Sequence, residues 1–571
     1  MNRFVKIMSI LVVVLSGEVN AERCNGISLK RNRLPVAKKR VSPCGLRTTF
    51  IPRSQGSDKV IQDAGWREYL EGCDERVWGN FSIALGYAHS RHSERIAQYF
   101  FGSTHLTFSG SQVPLRNPTD LLADNFGLSP RFKGAISFKP VIESILMNIN
   151  YEIGLDTWWP GLYARLNVPV VTTRWDFGIH CNEMNNVNEQ ETSVFPACYM
   201  AQEEVNTSLS IRDALSGNLI FGDMQQPLSF GTFPCGRVKK TGLADFNFIV
   251  GMRFHENECS EVRGYVEVVA PAGNHPRDVS VFEPLHGNGH LWEFGPGLGG
   301  HFDIVRCGYH IFSLYFNGSL TTQFDHFQTR TFDLIGNGPL SRYMILKEFN
   351  GDRVYNGNLV NGIDFTTRAT RVGGSIKFDG YVKAVYFYDR AGFELGYNCY
   401  ARSREKIRIQ DDLFPSDLNN RRFGIKGTEG VCYRIFDTTT GTLTGRTGKL
   451  NSTQHRATIT RAALTDNPCA VELAPGEIAL AWNSPLTQGE LLPALQSCPP
   501  ILIDTDALDL NSGASPRQLT HKFFAHFSYT ALNRVWEPQI GCGAMIEFDG
   551  RPRLLSALNQ WGLWFKGAIS F

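Results

Sequence analysis

The chain has 571 residues and a formal charge of +2, enough for two to four ordinary domains or one large barrel with long loops. The near-neutral balance excludes any global pull toward nucleic acid. Charged residues make up 20% and aromatics 12%, with 55 glycines, a composition that leans toward an all-β architecture.

At the start, Arg3 and Lys6 precede the apolar run Ile7–Leu15, and Val19-Asn20-Ala21 supplies small residues where a signal peptidase reads. We expect residues 1–21 to be a signal peptide cleaved after Ala21. The run falls short of the roughly 20 apolar residues of a membrane helix. Glu22 and Arg23 precede Cys24, which argues against a lipoprotein. From Glu22 to Arg53 there are nine Lys or Arg residues and one acid, Glu22. The basic segment 22–75 could bind anionic lipid head groups, cell-wall polymer or an acidic lumen; the preferred reading is a solvated arm, too short for the plug domain of energy-coupled receptors.

No later segment is continuously apolar over the length of a membrane helix. An exported chain without such helices crosses a bilayer only as a closed β-barrel, because lipid offers no partner to unpaired backbone groups. The remaining chain, 76–571, carries the matching pattern, apolar residues alternating with polar ones over about ten positions. Starting points lie near Val77, Phe100, Phe132, Ile145 and Leu162. A clear copy follows with Ala244, Phe246, Phe248, Val250, Met252 and Phe254 on one face and Asp245 and Arg253 on the other. The next gives Val262, Gly264, Val266 and Val268 against Glu261, Arg263 and Glu267. Further segments start near Trp292 and Phe312. Another runs from Val372 through Gly374, Ile376, Phe378, Gly380, Val382 and Ala384, with Lys377, Asp379 and Lys383 opposite. The last begin near Phe393, Phe523 and Ile540. We expect about 14 antiparallel strands (12–16), with short links at 256–260, 305–308 and 389–392 in the periplasm and two long inserts, 176–241 and 403–520, outside. One feature resists this parity: the 109–130 connection is too long for a periplasmic turn.

The C-terminus alternates Trp561, Leu563, Phe565, Gly567, Ile569 and Phe571. This resembles the C-terminal signal of bacterial outer-membrane proteins, which implies recognition by the barrel-assembly machinery. The heptapeptide Phe565–Phe571 also occurs at Phe132–Phe138. The stretch Val262–Lys347, with Phe282-Glu283-Pro284, Gly287-Asn288-Gly289-His290 and Pro339-Leu340-Ser341-Arg342-Tyr343, is similar to uncharacterised barrel proteins of host-associated bacteria. These resemblances imply a porin-like barrel in the bacterial outer membrane, in contact with outer-membrane lipid and open to homo-oligomer formation.

Several motifs invite chemistry and do not sustain it. Gly295-Pro296-Gly297-Leu298-Gly299-Gly300 lacks the strand–turn–helix setting of a phosphate loop. His286, His290, His301 and Glu293 lack a metal-ligand spacing and read as structural. Asp504, Asp506 and Asp509 lack the calcium-loop glycine and read as helix caps, with Leu502–Asp509 a short helix ended by Gly513. The chain has 13 cysteines, an odd count that leaves at least one unpaired. Cys24/Cys44 and Cys181/Cys198 are the readiest disulfide pairs. No Ser/His or Asp/His pattern marks a rim enzyme, and no cofactor is expected. The reading is a channel for passive passage of small solutes, with Asp245, Arg253, Glu261, Arg263, Glu267, Lys377, Asp379 and Lys383 facing a polar lumen. The alternative is a non-conducting barrel that anchors surface loops, for which the lumen would be plugged and the loops ordered. An outer-membrane hydrolase comes third.

Overall fold

The computed structural model describes residues 46–56, 58–65, 78–183, 195, 199–200, 207–208, 210–257, 259–351, 353, 355–409, 421–428, 433–444, 452–464, 466, 475–481, 499–531, 536–550 and 555–571. The expected signal peptide, most of the basic segment, and Cys24, Cys44 and Cys198 lie outside these residues.

Twelve antiparallel strands close into one barrel. In chain order they are β1 (Gly79–Ser90), β2 (Val141–Gly154), β3 (Leu162–Asp176), β4 (Phe246–Asn257), β5 (Ser260–Ala270) and β6 (Glu293–Cys307). Then come β7 (His310–Gln323), β8 (Ile376–Tyr388), β9 (Ala391–Arg402), β10 (Gln518–Thr530), β11 (Glu537–Asp549) and β12 (Gln560–Ser570). Closure joins the first strand to the last, from Asn80 opposite Ser570 to Ser90 opposite Gln560. Every ladder edge within the barrel is thereby paired, which is the condition for strands to stand in lipid. Along β1 the outward Ile83 and Leu85 are 38% and 55% exposed, while the inward Ser82 and Ala84 are 2% and 4%. The same alternation recurs round the wall, with apolar and aromatic side chains outside and polar ones within.

Twelve strands replace the expected 14, and the two surplus starting points account for the difference. Phe100 lies in the helix Ser93–Phe101, and Phe132 precedes Lys133–Phe138, a strand of a separate four-stranded sheet. Both belong to one long connection, 91–140, between β1 and β2. The awkward 109–130 link is therefore no turn between barrel strands. The heptapeptide shows why the pattern misled. In its first copy Phe132, Ile136 and Phe138 are buried in a protein core, whereas in its second Phe565 is 68% exposed on the barrel wall. Alternation reports a strand with one apolar face and is silent on whether protein or lipid covers that face.

A second correction concerns the segment beginning at Val372. Thr367–Gly373 pairs with His326–Thr331 and Lys406–Ile409 in a small sheet apart from the barrel, and β8 starts only at Ile376. A third concerns Ala244. Val170 of β3 pairs with Leu243, but Asn167 pairs with Asn247, so one extra residue is accommodated at Ala244–Asp245. This bulge turns both side chains inward, and Ala244 is fully buried rather than outward. Above it, Arg237–Leu243 continues β4 along β3 as a thirteenth strand outside the closed ring.

The two rims differ sharply. One carries the short connections 155–161, 258–259, 308–309, 389–390 and 531–536. The other carries 91–140, 177–245, 271–292, 324–375, 403–517 and 550–559, and these fold together into a cap. All six contribute to one apolar core, among them Phe100, Phe177, Phe282, Phe332, Phe423 and Leu558. Inside the second insert, Leu502–Asp509 is not a helix. A 3-10 turn spans Thr505–Ala507, Leu508–Asp509 pairs with Asp333–Leu334, and Asp509 caps the four-residue helix Leu510–Gly513 that follows. The expected Asp509 cap is there, on the helix after it.

Phe177 sits among the rings of Phe100, Phe101, Phe138, Phe233 and Phe282, at centroid distances of 5.0 to 6.1 Å. Phe177→Ala is expected to cost the cap about 3–5 kcal/mol. Faster amide exchange across the cap strands, with the barrel strands unchanged, would report it; uniform exchange in both would show that cap and wall unfold as one unit.

Candidate functional site: an occupied lumen

The residues before β1 do not form a free arm. Leu46 and Phe50 belong to the cap core. There Leu46 donates its N–H to Tyr99 O at 2.8 Å, and Tyr99 Oη donates to Thr49 O at 2.9 Å. Arg342, paired with Asp333 at 2.8 Å, also donates to Leu46 O. From there the chain descends into the barrel, and 53–65 fills the interior, so the reading of 22–75 as a solvated arm fails over this part. The physical reason is charge matching. Arg53, Asp58, Lys59 and Asp63 alternate in sign along the segment, and each meets its opposite on the wall.

Arg53 forks onto Asp379 of β8 at 2.9 and 2.8 Å and donates to Asn398 of β9 at 2.7 Å. Asp58 accepts from Lys522 of β10. Lys59 reaches Glu267 of β5 at 2.8 Å. Asp63 accepts from Arg165 of β3 and Asn317 of β7 at 2.6 Å each, and from Tyr381 Oη of β8 at 2.8 Å. The backbone is held as well. Lys566 of β12 donates to Ala64 O at 2.8 Å and to the Ile61 and Gln62 carbonyls, a cation at the C-terminal end of the short helix Lys59–Gln62. Gly65 N donates to Glu394 of β9 and its O accepts from Gln539 of β11. Eight of the twelve strands thus grip the segment. Gly56 passes so close to the wall that a Cβ there would lie 2.2 Å from Pro169.

The sequence-derived lumen candidates divide into three groups. Glu267, Asp379 and Lys383 bind the segment directly, Lys383 through Asp63 O at 2.7 Å and through Glu394 at 3.0 Å. Asp245 accepts from Ser54 Oγ at 3.0 Å. Glu261, Arg263 and Lys377 are also buried inside the wall, Arg263 beside Glu152 at 3.3 Å and Lys377 on Glu293. Arg253 stands apart near the short-turn rim, forked on Asp156 at 2.8 and 2.9 Å. Sequence reasoning missed Glu152, Arg165, Glu394, Lys522, Glu547 and Lys566, all inward members of alternating strands. It also missed their partners in the N-terminal segment. The spacing of Arg53, Asp58, Lys59 and Asp63 was the available signal.

The other motifs disperse. His301 stacks on Tyr315 inside the wall, 5.2 Å between ring centres. His290 instead meets His275 and His326, at 5.8 and 5.0 Å, and Glu293 holds Lys377. Among the described residues no group of three or more His, Cys, Asp or Glu side chains is set to hold a metal ion. Gly295–Gly300 lies within β6, as a strand and not a phosphate loop. Cys181 is a free thiol, and its expected partner Cys198 lies outside the described residues; Cys235, Cys259, Cys307, Cys399 and Cys542 are free as well. No described helix is long and apolar enough to cross a membrane.

The chain matches no family model and no curated protein. Its structural neighbours are bacterial outer-membrane channel barrels. An outer membrane channel from Pseudomonas putida F1 aligns with 9% identity and a TM-score of 0.29, over 86% of this chain and 96% of that one. A deletion mutant of TodX, a monoaromatic hydrocarbon channel, aligns with 9% identity and a TM-score of 0.26, over 86% and 89%. A FadL homologue from Pseudomonas aeruginosa aligns with 7% identity and a TM-score of 0.20, over 92% and 99%. At such TM-scores the weight rests on the barrel's own geometry.

Proposed function

We propose that this protein is an outer-membrane channel closed by its own N-terminal segment, with the cap facing the exterior and the short turns facing the periplasm. The observation that carries this reading is the run of opposite charges from Arg53 to Asp63 against Asp379, Lys522, Glu267 and Arg165. A permanent structural core would be served at least as well by apolar packing, since buried ion pairs contribute little net stability over hydrophobic replacements. A paired polar interface has a different property: both faces remain soluble in water once separated, so the segment can leave and return. An open general-diffusion pore is disfavoured, because the segment occupies the path that solutes would take. The test is planar-bilayer recording of the full chain. A closed baseline interrupted by brief openings supports a gated channel, whereas stable constant steps from the moment of insertion would overturn it.

The second reading, a non-conducting anchor for a surface domain, draws on the cap. Six connections sharing one core make an ordered body of the kind a binding surface needs. A barrel that is inserted, heat-modifiable and silent under every voltage would favour it.

A further inference from the structure

We infer that the outer face of the Arg237–Leu243 strand and the adjoining end of β3 bind a phosphate-bearing glycolipid of the outer leaflet, through Arg174 and Lys239. This rests on the outer-membrane orientation proposed above.

The argument starts from the lipid-facing surface of β4 and its continuation. Outward side chains there run apolar from Phe254 (64% exposed) through Val250 and Phe248 to Leu243 (42% exposed). From Leu243 to Phe254 there are about eleven steps, one of them taken up by the bulge, and about ten at about 3.4 Å each, on a strand tilted by about 40°, span a height of roughly 26 Å. That fills the apolar band of an outer-membrane barrel, whose height is about 25 Å. Beyond Leu243 the same face changes character at once, to Thr241, Lys239 and Arg237, all exposed. The change falls at the cap side, where the headgroups of the outer leaflet lie.

The register brings the matching residues of β3 beside them. Thr172 pairs with Thr241, Arg174 with Lys239 and Asp176 with Arg237. The two threonine hydroxyls are 3.0 Å apart, which places these partners on one face. Arg237 is partly neutralised, with its guanidinium 3.5 Å from Asp176 and 3.9 Å from Glu143. Arg174 and Lys239 form no salt bridge among the described residues. They are also direct cross-strand partners, and two like charges in that position destabilise a sheet. Glu143, opposite Arg174 on β2, offsets part of this cost, but no described carboxylate forms a salt bridge with either cation. An anion between them would offset the remainder, and a phosphate matches the planar donors of arginine and the point charge of lysine. The apolar strip immediately below would receive acyl chains, so the surface as a whole fits a phosphorylated glycolipid better than a small anion. The strand's far edge pairs with no other described strand, leaving the patch open laterally to the membrane.

The experiment uses the detergent-purified full chain, first shown to float with vesicles and to migrate with heat-modifiable mobility. Failure at that step overturns the membrane reading itself. Binding of lipid A bisphosphate is then compared with binding of the same glycolipid stripped of phosphate. The wild type is expected to prefer the phosphorylated form by on the order of ten-fold, and R174Q/K239Q to lose that preference while keeping its mobility shift. Equal affinity for the two forms, or an unchanged preference in the double variant, overturns the proposal. Displacement by excess inorganic phosphate would overturn the lipid as ligand, because the site would then take the free anion.

Discussion

Asp63→Ala is expected to turn a closed barrel into one that conducts. Asp63 is 2% exposed and accepts hydrogen bonds from Arg165, Asn317 and Tyr381 on three separate strands. Alanine leaves Arg165 with Glu152 as its remaining carboxylate, at 2.8 Å, and strands the donors of Asn317 and Tyr381. Removing one partner from a buried charged cluster costs about 3–5 kcal/mol, and the cost falls on the occupied state alone, since water satisfies the same groups once the segment leaves. A penalty of that size shifts the balance between occupied and vacated lumen by a factor of about 100 or more. Planar-bilayer recording should show long openings in the variant where the wild type stays near its closed baseline. Asp63→Asn, which keeps an acceptor and loses the charge, should fall between the two. Heat-modifiable mobility identifies variants that still fold. A folded Asp63→Ala barrel as silent as the wild type would show that the barrier to passage lies elsewhere, with the cap the next candidate.

The second large effect concerns the cap and has a pH signature. Lys347, on the strand Ile345–Phe349, is 5% exposed and donates to Ser452 O at 2.9 Å. Burial pulls its ammonium down to about 7, although Asp223 acts in the opposite direction. Lys426, also buried, is lowered by burial first and by Lys347 second. A lysine whose folded-state pKa is depressed binds fewer protons folded than unfolded between that value and its ordinary one. Stability therefore rises as pH rises from about 7 toward 10, by up to about 1.4 kcal/mol per pH unit for each group. Lys347→Met should raise cap stability at pH 7 by about 1–4 kcal/mol and flatten the slope. Amide exchange of residues 345–349 at several pH values measures both. Parallel pH profiles for variant and wild type would refute the assignment to Lys347.

Much of the wall was legible in the chain because a strand with one apolar face imposes a period of two. The segments at Val262, Phe312, Phe393, Ile540 and Trp561 all fall within barrel strands. The short links near 256–260, 305–308 and 389–392 share one rim, opposite the long inserts. Twelve strands could not be told from 14, since the cap folds its own strands with the same alternation and hides their apolar faces under protein. Phe132–Phe138 and Phe565–Phe571 make the point with identical residues. Nor could a linear reading see the bulge at Ala244–Asp245, which depends on what β3 does opposite.

The inward charges were visible as residue types, but not as a lock. A polar residue at an inward position faces water in an open pore and an ion partner in a filled one, and its sequence neighbours are the same in both cases. Arg53 and Asp379 are 326 residues apart, and Asp58 and Lys522 are 464. Only closure of the barrel, which brings β8 and β10 round to a segment that precedes β1, makes them partners. Local sequence determined that these segments form strands with one apolar face, because that alternation is a short-range property of the chain. Tertiary structure decided that the lumen is occupied, because pairing across hundreds of residues depends on where the ring brings each charge.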